Sequence, residues 1–191
     1  MWFDKPLSAL LTPGQALRLH AHQTVIHHEV ELGVVIGMRG RNIRPENVHK
    51  HIAGYFIGVD FVNRLWQGQN KDDGSDWSMA KGSNQFAAVS EFIHKSAIPD
   101  NGDVEVELKI NGEVRQADNT GNMNFKIDEQ VRYLEENGPI NFDEGDLLMS
   151  GTPEGIAPVV EGDVLEASLR GPDGTLISEI RQVIGRESSP I

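Results

Sequence analysis

The sequence predicts a single α+β domain in which strands outnumber helices, and three observations carry that reading. Apolar, β-branched runs recur at residues 30–36 and 55–59, an alternating pattern surrounds Asn111-Gly112, and residues 127–137 have the 3.6-residue period of an amphipathic helix. The length of 191 residues suffices for one sizeable core and nothing in the chain marks a second domain, so residues 1–191 are read as one unit.

Each element follows from local chemistry. Residues 30–36 are mostly apolar and β-branched and predict a strand, with Glu29 and Glu31 on one face because strand side chains alternate. Pro45 and Glu46 mark the start of a short helix across residues 44–52, which Gly54 would end. A strand over 55–62 follows, and the polar stretch from Gln67 to Ser78, with Lys71-Asp72-Asp73-Gly74-Ser75, reads as a loop. Val104, Val106, Leu108 and Ile110 alternate with Glu105, Glu107 and Lys109, and Asn111-Gly112 precedes Glu113-Val114-Arg115, which is a β-hairpin with a tight turn. Ile127, Val131 and Leu134 define the apolar face of a helix that Gly138-Pro139 stops. A second strand pair, residues 164–169 and 176–180, flanks the turn Pro172-Asp173-Gly174-Thr175, and the end around Ser188-Ser189-Pro190 is expected to fray.

Composition excludes several classes of function. No apolar stretch is long enough to span a bilayer, and the start Met1-Trp2-Phe3-Asp4-Lys5-Pro6 is not a secretory signal. The absence of cysteine removes disulfides, thiolate metal sites and cysteine nucleophiles, and points to an intracellular, cytoplasmic setting. A net charge of −12 argues against a nucleic-acid surface, so an anionic substrate would need a local positive site.

That local site is foreshadowed by Glu29, Glu31 and Asp60. Carboxylates side by side on a strand repel unless something positive lies between them, and an all-oxygen donor set suits Mg²⁺ or Mn²⁺ better than zinc or copper. Glu-x-Glu alone also describes a solvated strand face. Asp60, however, ends an apolar run, where a charge is costly unless paired or metal-bound.

Taken in order, His28-Glu29-Val30-Glu31-Leu32-Gly33, Gly54-Tyr55 through Asp60, Arg64, Gln67, Ala80-Lys81-Gly82, Asn111-Gly112-Glu113 and Ser150-Gly151-Thr152-Pro153-Glu154-Gly155 resemble the fumarylacetoacetate hydrolase family, in its small acylpyruvase and oxaloacetate decarboxylase branch. The resemblance runs from about residue 26 to about residue 180. It implies mixed sheets curled into a β-sandwich roll, a homodimer, and Mg²⁺ or Mn²⁺ held by Glu29, Glu31 and Asp60. It further implies a 2-oxo acid substrate lined by Arg64, Gln67, Lys81 and Thr152, with Lys81 the catalytic residue. Chemistry then proceeds through a metal-stabilised pyruvate enolate, as in acylpyruvate C–C hydrolysis or oxaloacetate decarboxylation or tautomerisation. Alternatives are an isomerase or hydrolase of aromatic degradation, or a non-catalytic homologue that binds oxo acids. A eukaryotic source would allow a mitochondrial location.

Several of these residues also have plain structural readings. Lys81 by itself resembles a surface lysine, Arg64 a surface ion-pair partner, and Gly151-Thr152-Pro153-Glu154-Gly155 a turn, although such a turn also exposes N–H groups that can hold a carboxylate. At most one of His27 and His28 can share the glutamate face, and His49 and His51 are expected in solvent. The chain departs from the family pattern at Leu65, where an aspartate is usual, and at Gly82-Ser83-Asn84-Gln85-Phe86 after the lysine. The stretch Trp2-Phe3-Asp4-Lys5-Pro6 resembles the family's lysine–proline strand. No His-x-x-Glu lid pair precedes the metal motif in this sequence, from which oxaloacetate chemistry is expected to outlast acylpyruvate hydrolysis.

Overall fold

The computed structural model describes residues 2–98, 103–137 and 141–187. In chain order the strands and helices are β1 (Leu10–Leu11), β2 (Leu17–Leu19), β3 (Ile26–His28), β4 (Val30–Ile36), α1 (Val48–His51), β5 (Ile52–Asp60), β6 (Val62–Asn63), α2 (Arg64–Asp73), α3 (Ser78–Lys81), β7 (Ala87–Val89) and β8 (Ile93–His94). They continue with β9 (Glu105–Ile110), β10 (Glu113–Asn119), α4 (Ile127–Asn137), β11 (Leu147–Met149), β12 (Ala157–Val159), β13 (Val164–Arg170) and β14 (Leu176–Arg186). The fold is strand-rich α+β with mixed sheets, as expected.

Three sheets are built from these strands. The first runs β1-β7-β5-β4-β11 with β8 also on β5, the second β10-β9-β13-β14-β2, and the third β12-β3-β6. β1 with β7 and β14 with β2 are parallel, and the other pairs are antiparallel. The central pair sets Val30 opposite Val59 and Leu32 opposite Ile57. Val30, Leu32, Ile57 and Val59 join Leu108 and Leu165 of the second sheet in the larger core, whereas Val34 and Ile36 meet Val131 and Leu134 of α4 in a smaller one. One face of β4 is therefore apolar along its whole length. The other face of the sheet is free to carry Glu31 of β4 and Asp60 of β5. Within this sheet there is no slack at Gly33, whose cross-strand partner is Phe56 and where an added Cβ would lie 2.1 Å from the Phe56 ring.

Where the structure departs from the expectation, the reason is local. Residues 64–73 are helix and not the start of a loop. Asn63 accepts a hydrogen bond from the Trp66 N–H at 3.2 Å as N-cap, and Gly74, in the left-handed conformation, caps the other end. Polar composition hid this helix because Gln67 is its one buried residue. Gly54 does not end α1, which stops at His51. It lies inside β5, where an added Cβ would fall 2.2 Å from the Ile93 carbonyl of β8. The expected strand 55–62 begins earlier, at Ile52, and is interrupted at Phe61. Residues 2–6 form no strand.

The hairpin is present as expected, with Asn111 and Gly112 at φ 54° and 81° and Glu113 opposite Ile110. α4 and the β13–β14 pair are also where the sequence puts them, β14 running on to Arg186. Gly138-Pro139 and Ser188-Ser189-Pro190 lie outside the described residues. No helix among the described residues is long and apolar enough to cross a membrane.

Candidate metal centre

β3 ends at His28 and β4 begins at Val30, so Glu29 stands in the break between them. The Asp60 N–H donates to the Glu29 carbonyl at 2.8 Å, which fixes the end of β5 against that break. Glu29, Glu31 and Asp60 consequently converge. Each offers a carboxylate oxygen within 4.8 Å of the others, and the three residues are 8%, 4% and 2% exposed.

Two lysines face this cluster. Lys81, at the end of α3 and buried, donates to Glu29 Oε2 at 2.8 Å and Asp60 Oδ2 at 2.6 Å. Lys5 Nζ lies 2.6 Å from Asp60 Oδ1. That contact is ionic, since no hydrogen-bond donor is directed at Asp60 Oδ1. On the other side the Gly151 N–H donates to Glu31 Oε2 at 2.7 Å.

Burial pushes the Glu31 carboxyl up to about 8, and repulsion from Asp60 and Glu29 adds to this while the Gly151 N–H and Lys81 oppose it. Burial likewise raises Glu29, against the pull of Lys81, and lowers Lys5, against the pull of Asp60. Three carboxylates against two ammonium groups leave one negative charge, which a proton on Glu31 neutralises at pH 7. These residues fit a hard divalent cation. The donors are all oxygen, Asp60 Oδ1 is buried with no directed donor, and the proton Glu31 retains is one that a cation would replace.

The other expected site residues are distributed around this centre. Arg64 opens α2, and its Nη1 donates to Gln67 Oε1 at 2.6 Å, so the two form one unit. Burial dominates at both neighbours, and the Arg64 charge opposes it at Glu29, which stays raised, and adds to it at His27, which is lowered. The Thr152 hydroxyl donates to the Val30 carbonyl at 2.8 Å, midway between the two glutamates in the chain. Its loop is held close to β10 at Gly155, where an added Cβ would stand 2.0 Å from the Arg115 carbonyl. The histidines are not part of the cluster. His28 is fully buried, His27 half-buried, and burial lowers the pKa of each. His49 is exposed as expected, but His51 is half-buried with Nδ1 at 2.9 Å from the Met38 carbonyl.

Residues 1–184 match the family model described as fumarylacetoacetate hydrolase, C-terminal. The chain belongs to the fumarylacetoacetate hydrolase family. A Mus musculus protein named mitochondrial oxaloacetate tautomerase is 37% identical over 169 residues, which are 88% of this chain and 76% of that one. A Dictyostelium discoideum protein named mitochondrial oxaloacetate decarboxylase is 34% identical over 173 residues, 90% of this chain and 78% of that one. Among solved structures, fumarylpyruvate hydrolase from Pseudomonas aeruginosa, in complex with Mn²⁺ and pyruvate, is 27% identical with a TM-score of 0.85, covering 97% of this chain and 78% of that one. The 5-carboxymethyl-2-hydroxymuconate delta-isomerase from Mycobacterium smegmatis is 30% identical with a TM-score of 0.84, covering 97% and 68%. Membership in the fumarylacetoacetate hydrolase family makes the chain one of a family of enzymes, as the sequence implied.

Two residues at this centre escape the sequence reading. One is Lys5. The other is Gln116, the single buried residue of β10, turned inward by a bulge between Val114 and Gln116. Its Oε1 accepts from the Val30 N–H at 3.1 Å and lies 2.8 Å from His28 Nδ1, and its Nε2 donates to Thr152 Oγ1 at 2.7 Å and the Pro153 carbonyl at 2.9 Å. One amide thus ties the glutamate strand to the Thr152 loop. The run Glu113-Val114-Arg115-Gln116-Ala117-Asp118 carries no mark of this, because the bulge that buries Gln116 arises only from strand pairing. Gln116→Leu strands four buried or half-buried polar partners and is expected to cost about 3 kcal/mol of stability in denaturant unfolding. A loss below about 1 kcal/mol would mean that water satisfies those groups.

Proposed function

We propose that this protein is an Mg²⁺- or Mn²⁺-dependent enzyme acting on 2-oxo acids, with the cation held by Glu29, Glu31 and Asp60. The observation that carries the reading is the buried three-carboxylate cluster with Lys81 set against two of its members. The names of the oxaloacetate and fumarylpyruvate relatives support the substrate class. When bound, the cation supplies positive charge beside the oxygen on which an enolate develops.

The chain's own residues do the rest in this reading. Arg64, braced by Gln67, offers a guanidinium to the substrate carboxylate, with Thr152 lining the opposite side. Lys81 donates hydrogen bonds and charge at the reacting end. In decarboxylation of oxaloacetate the bond to the departing carboxylate breaks, carbon dioxide leaves, and its electron pair passes into the enolate of pyruvate, which is then protonated. Tautomerisation loses no carbon: a proton leaves C3 and one is taken up on the C2 oxygen, through the enolate of oxaloacetate itself, which carries its charge on the corresponding oxygen. Acylpyruvate hydrolysis adds water at the distal carbonyl before the C–C bond breaks. All three therefore draw on one arrangement of charge.

A second reading, an isomerase of aromatic degradation, is favoured by the likeness to the muconate isomerase structure. A panel of 2-oxo acids assayed with and without Mg²⁺ separates the two. Metal-dependent pyruvate release from oxaloacetate or an acylpyruvate is the expected result, and turnover of a hydroxymuconate without pyruvate would replace the first reading by the second. We also propose a homodimer, to which the exposed Val114, Leu176 and Val183 on the second sheet lend support, and a cytoplasmic or mitochondrial setting.

The Glu31 carboxyl makes metal binding pH-dependent. In the unfolded chain it ionises near 4.5, but in the folded, cation-free protein only near 8. Protonation therefore contributes stability that is fully present below about pH 4.5 and is lost as pH rises through 8. A cation must expel that proton, so its apparent affinity should rise about tenfold per pH unit up to about pH 8 and then level off. Calorimetry at pH 7 in two buffers of different ionisation enthalpy should show about one proton released per cation. Release of none would mean that Glu31 is already ionised in the cation-free protein.

A further inference from the structure

Lys5 is anchored in a way that Lys81 is not. Its ammonium is enclosed by the Phe86 carbonyl at 2.8 Å, the Phe61 carbonyl at 3.4 Å, the Lys81 carbonyl, and Asp60 Oδ1 at 2.6 Å. An ammonium has three donors. The three carbonyls take them, and Asp60 Oδ1 receives charge without a directed hydrogen bond. Lys81 Nζ, by contrast, donates to Glu29 and Asp60 themselves, so an arriving cation competes for the same oxygens.

The carbonyls around Lys5 belong to the framework of the site. Phe61 follows Asp60, Lys81 carries the other ammonium, and Phe86 adjoins the strand β7 whose Ala87 pairs with Asp60. Removing metal or substrate leaves all three in place, so the charge of Lys5 stays where it is. The side chain is 13% exposed, which limits screening by water.

We propose that Lys5 is a positioning residue, a fixed cation beside the metal ligand Asp60 that loosens the grip on the divalent cation and strengthens the hold on the anionic substrate. The proposal rests on the metal and 2-oxo acid reading given above. With the three carboxylates ionised, the two ammonium groups and a divalent cation leave the loaded site at +1, and without Lys5 it is neutral. Like charge near the metal opposes its binding, while the same charge attracts the carboxylate of the substrate. The two effects have opposite signs. A purely structural lysine would have no such signature, because disorder at Asp60 weakens both.

The experiment is calorimetric titration of wild type, Lys5→Met and Lys5→Gln with Mn²⁺, followed by titration of the Mn²⁺-loaded proteins with oxalate, a dianion shaped like a planar 2-oxo acid. Lys5→Gln keeps an amide donor for the carbonyls without the charge, and so reads the electrostatic effect even if Lys5→Met folds poorly. The expected result is Mn²⁺ binding at least about tenfold tighter and oxalate binding about tenfold weaker in both variants. Both affinities falling, neither changing, or neither variant folding would overturn the assignment to Lys5 alone. Wild type that binds no Mn²⁺ would overturn the metal reading and this proposal with it.

Discussion

Lys81→Met is expected to lower kcat by about 10²–10³ while raising KM by far less, about tenfold at most. The methionine nearly matches the lysine in length, so packing in α3 is preserved and the loss is one of charge. Lys81 is buried between Glu29 and Asp60, and its ammonium also lies 4.9 Å from the centre of the Phe3 ring. A positive charge held in such a place matters most when negative charge grows on the substrate, which happens on the way to the enolate and not on binding. Steady-state kinetics on the substrate identified by pyruvate release provides the check. A rise in KM with kcat unchanged would make Lys81 a binding residue.

Glu31→Ala is expected to abolish binding of Mg²⁺ and Mn²⁺ in calorimetry. The substitution removes one ligand and frees the Gly151 N–H, so the Thr152 loop loses its tie to β4 at that point. Glu31→Gln separates these effects, because its amide oxygen can still accept from Gly151. It should keep the loop in place yet weaken the cation by at least about 100-fold. In the cation-free protein at pH 9 the same variant should be no less stable than wild type, since it removes a buried charge that Asp60 and Glu29 repel. Unchanged Mn²⁺ affinity in Glu31→Gln would remove Glu31 from the metal site.

Much of this was legible in the chain because it is governed by neighbours in sequence. Alternation set β9, Asn111-Gly112 set the turn that returns the chain as β10, and the spacing of Ile127, Val131 and Leu134 set α4. Glu29, Glu31 and Asp60 drew attention because a charge at the end of an apolar run needs a partner, and the three do converge. Short elements with weak periodicity were not legible. α2 depends on a cap at Asn63 and a left-handed glycine at 74, single-residue signals inside a polar stretch.

The sequence by itself thus determined the strand-rich α+β class, the family and the three carboxylates that could hold a metal, because local pattern and ordered motifs are properties of the chain. Only the tertiary structure decided what surrounds them. Lys5 and Asp60 are brought together across 55 positions by the β1–β7–β5 arrangement, as their numbering shows. Gln116 reaches Thr152 and Val30 only because the hairpin folds back onto the first sheet's edge loop. Such contacts depend on which faces meet when the apolar sides of separate sheets are buried together, and no local period records that choice.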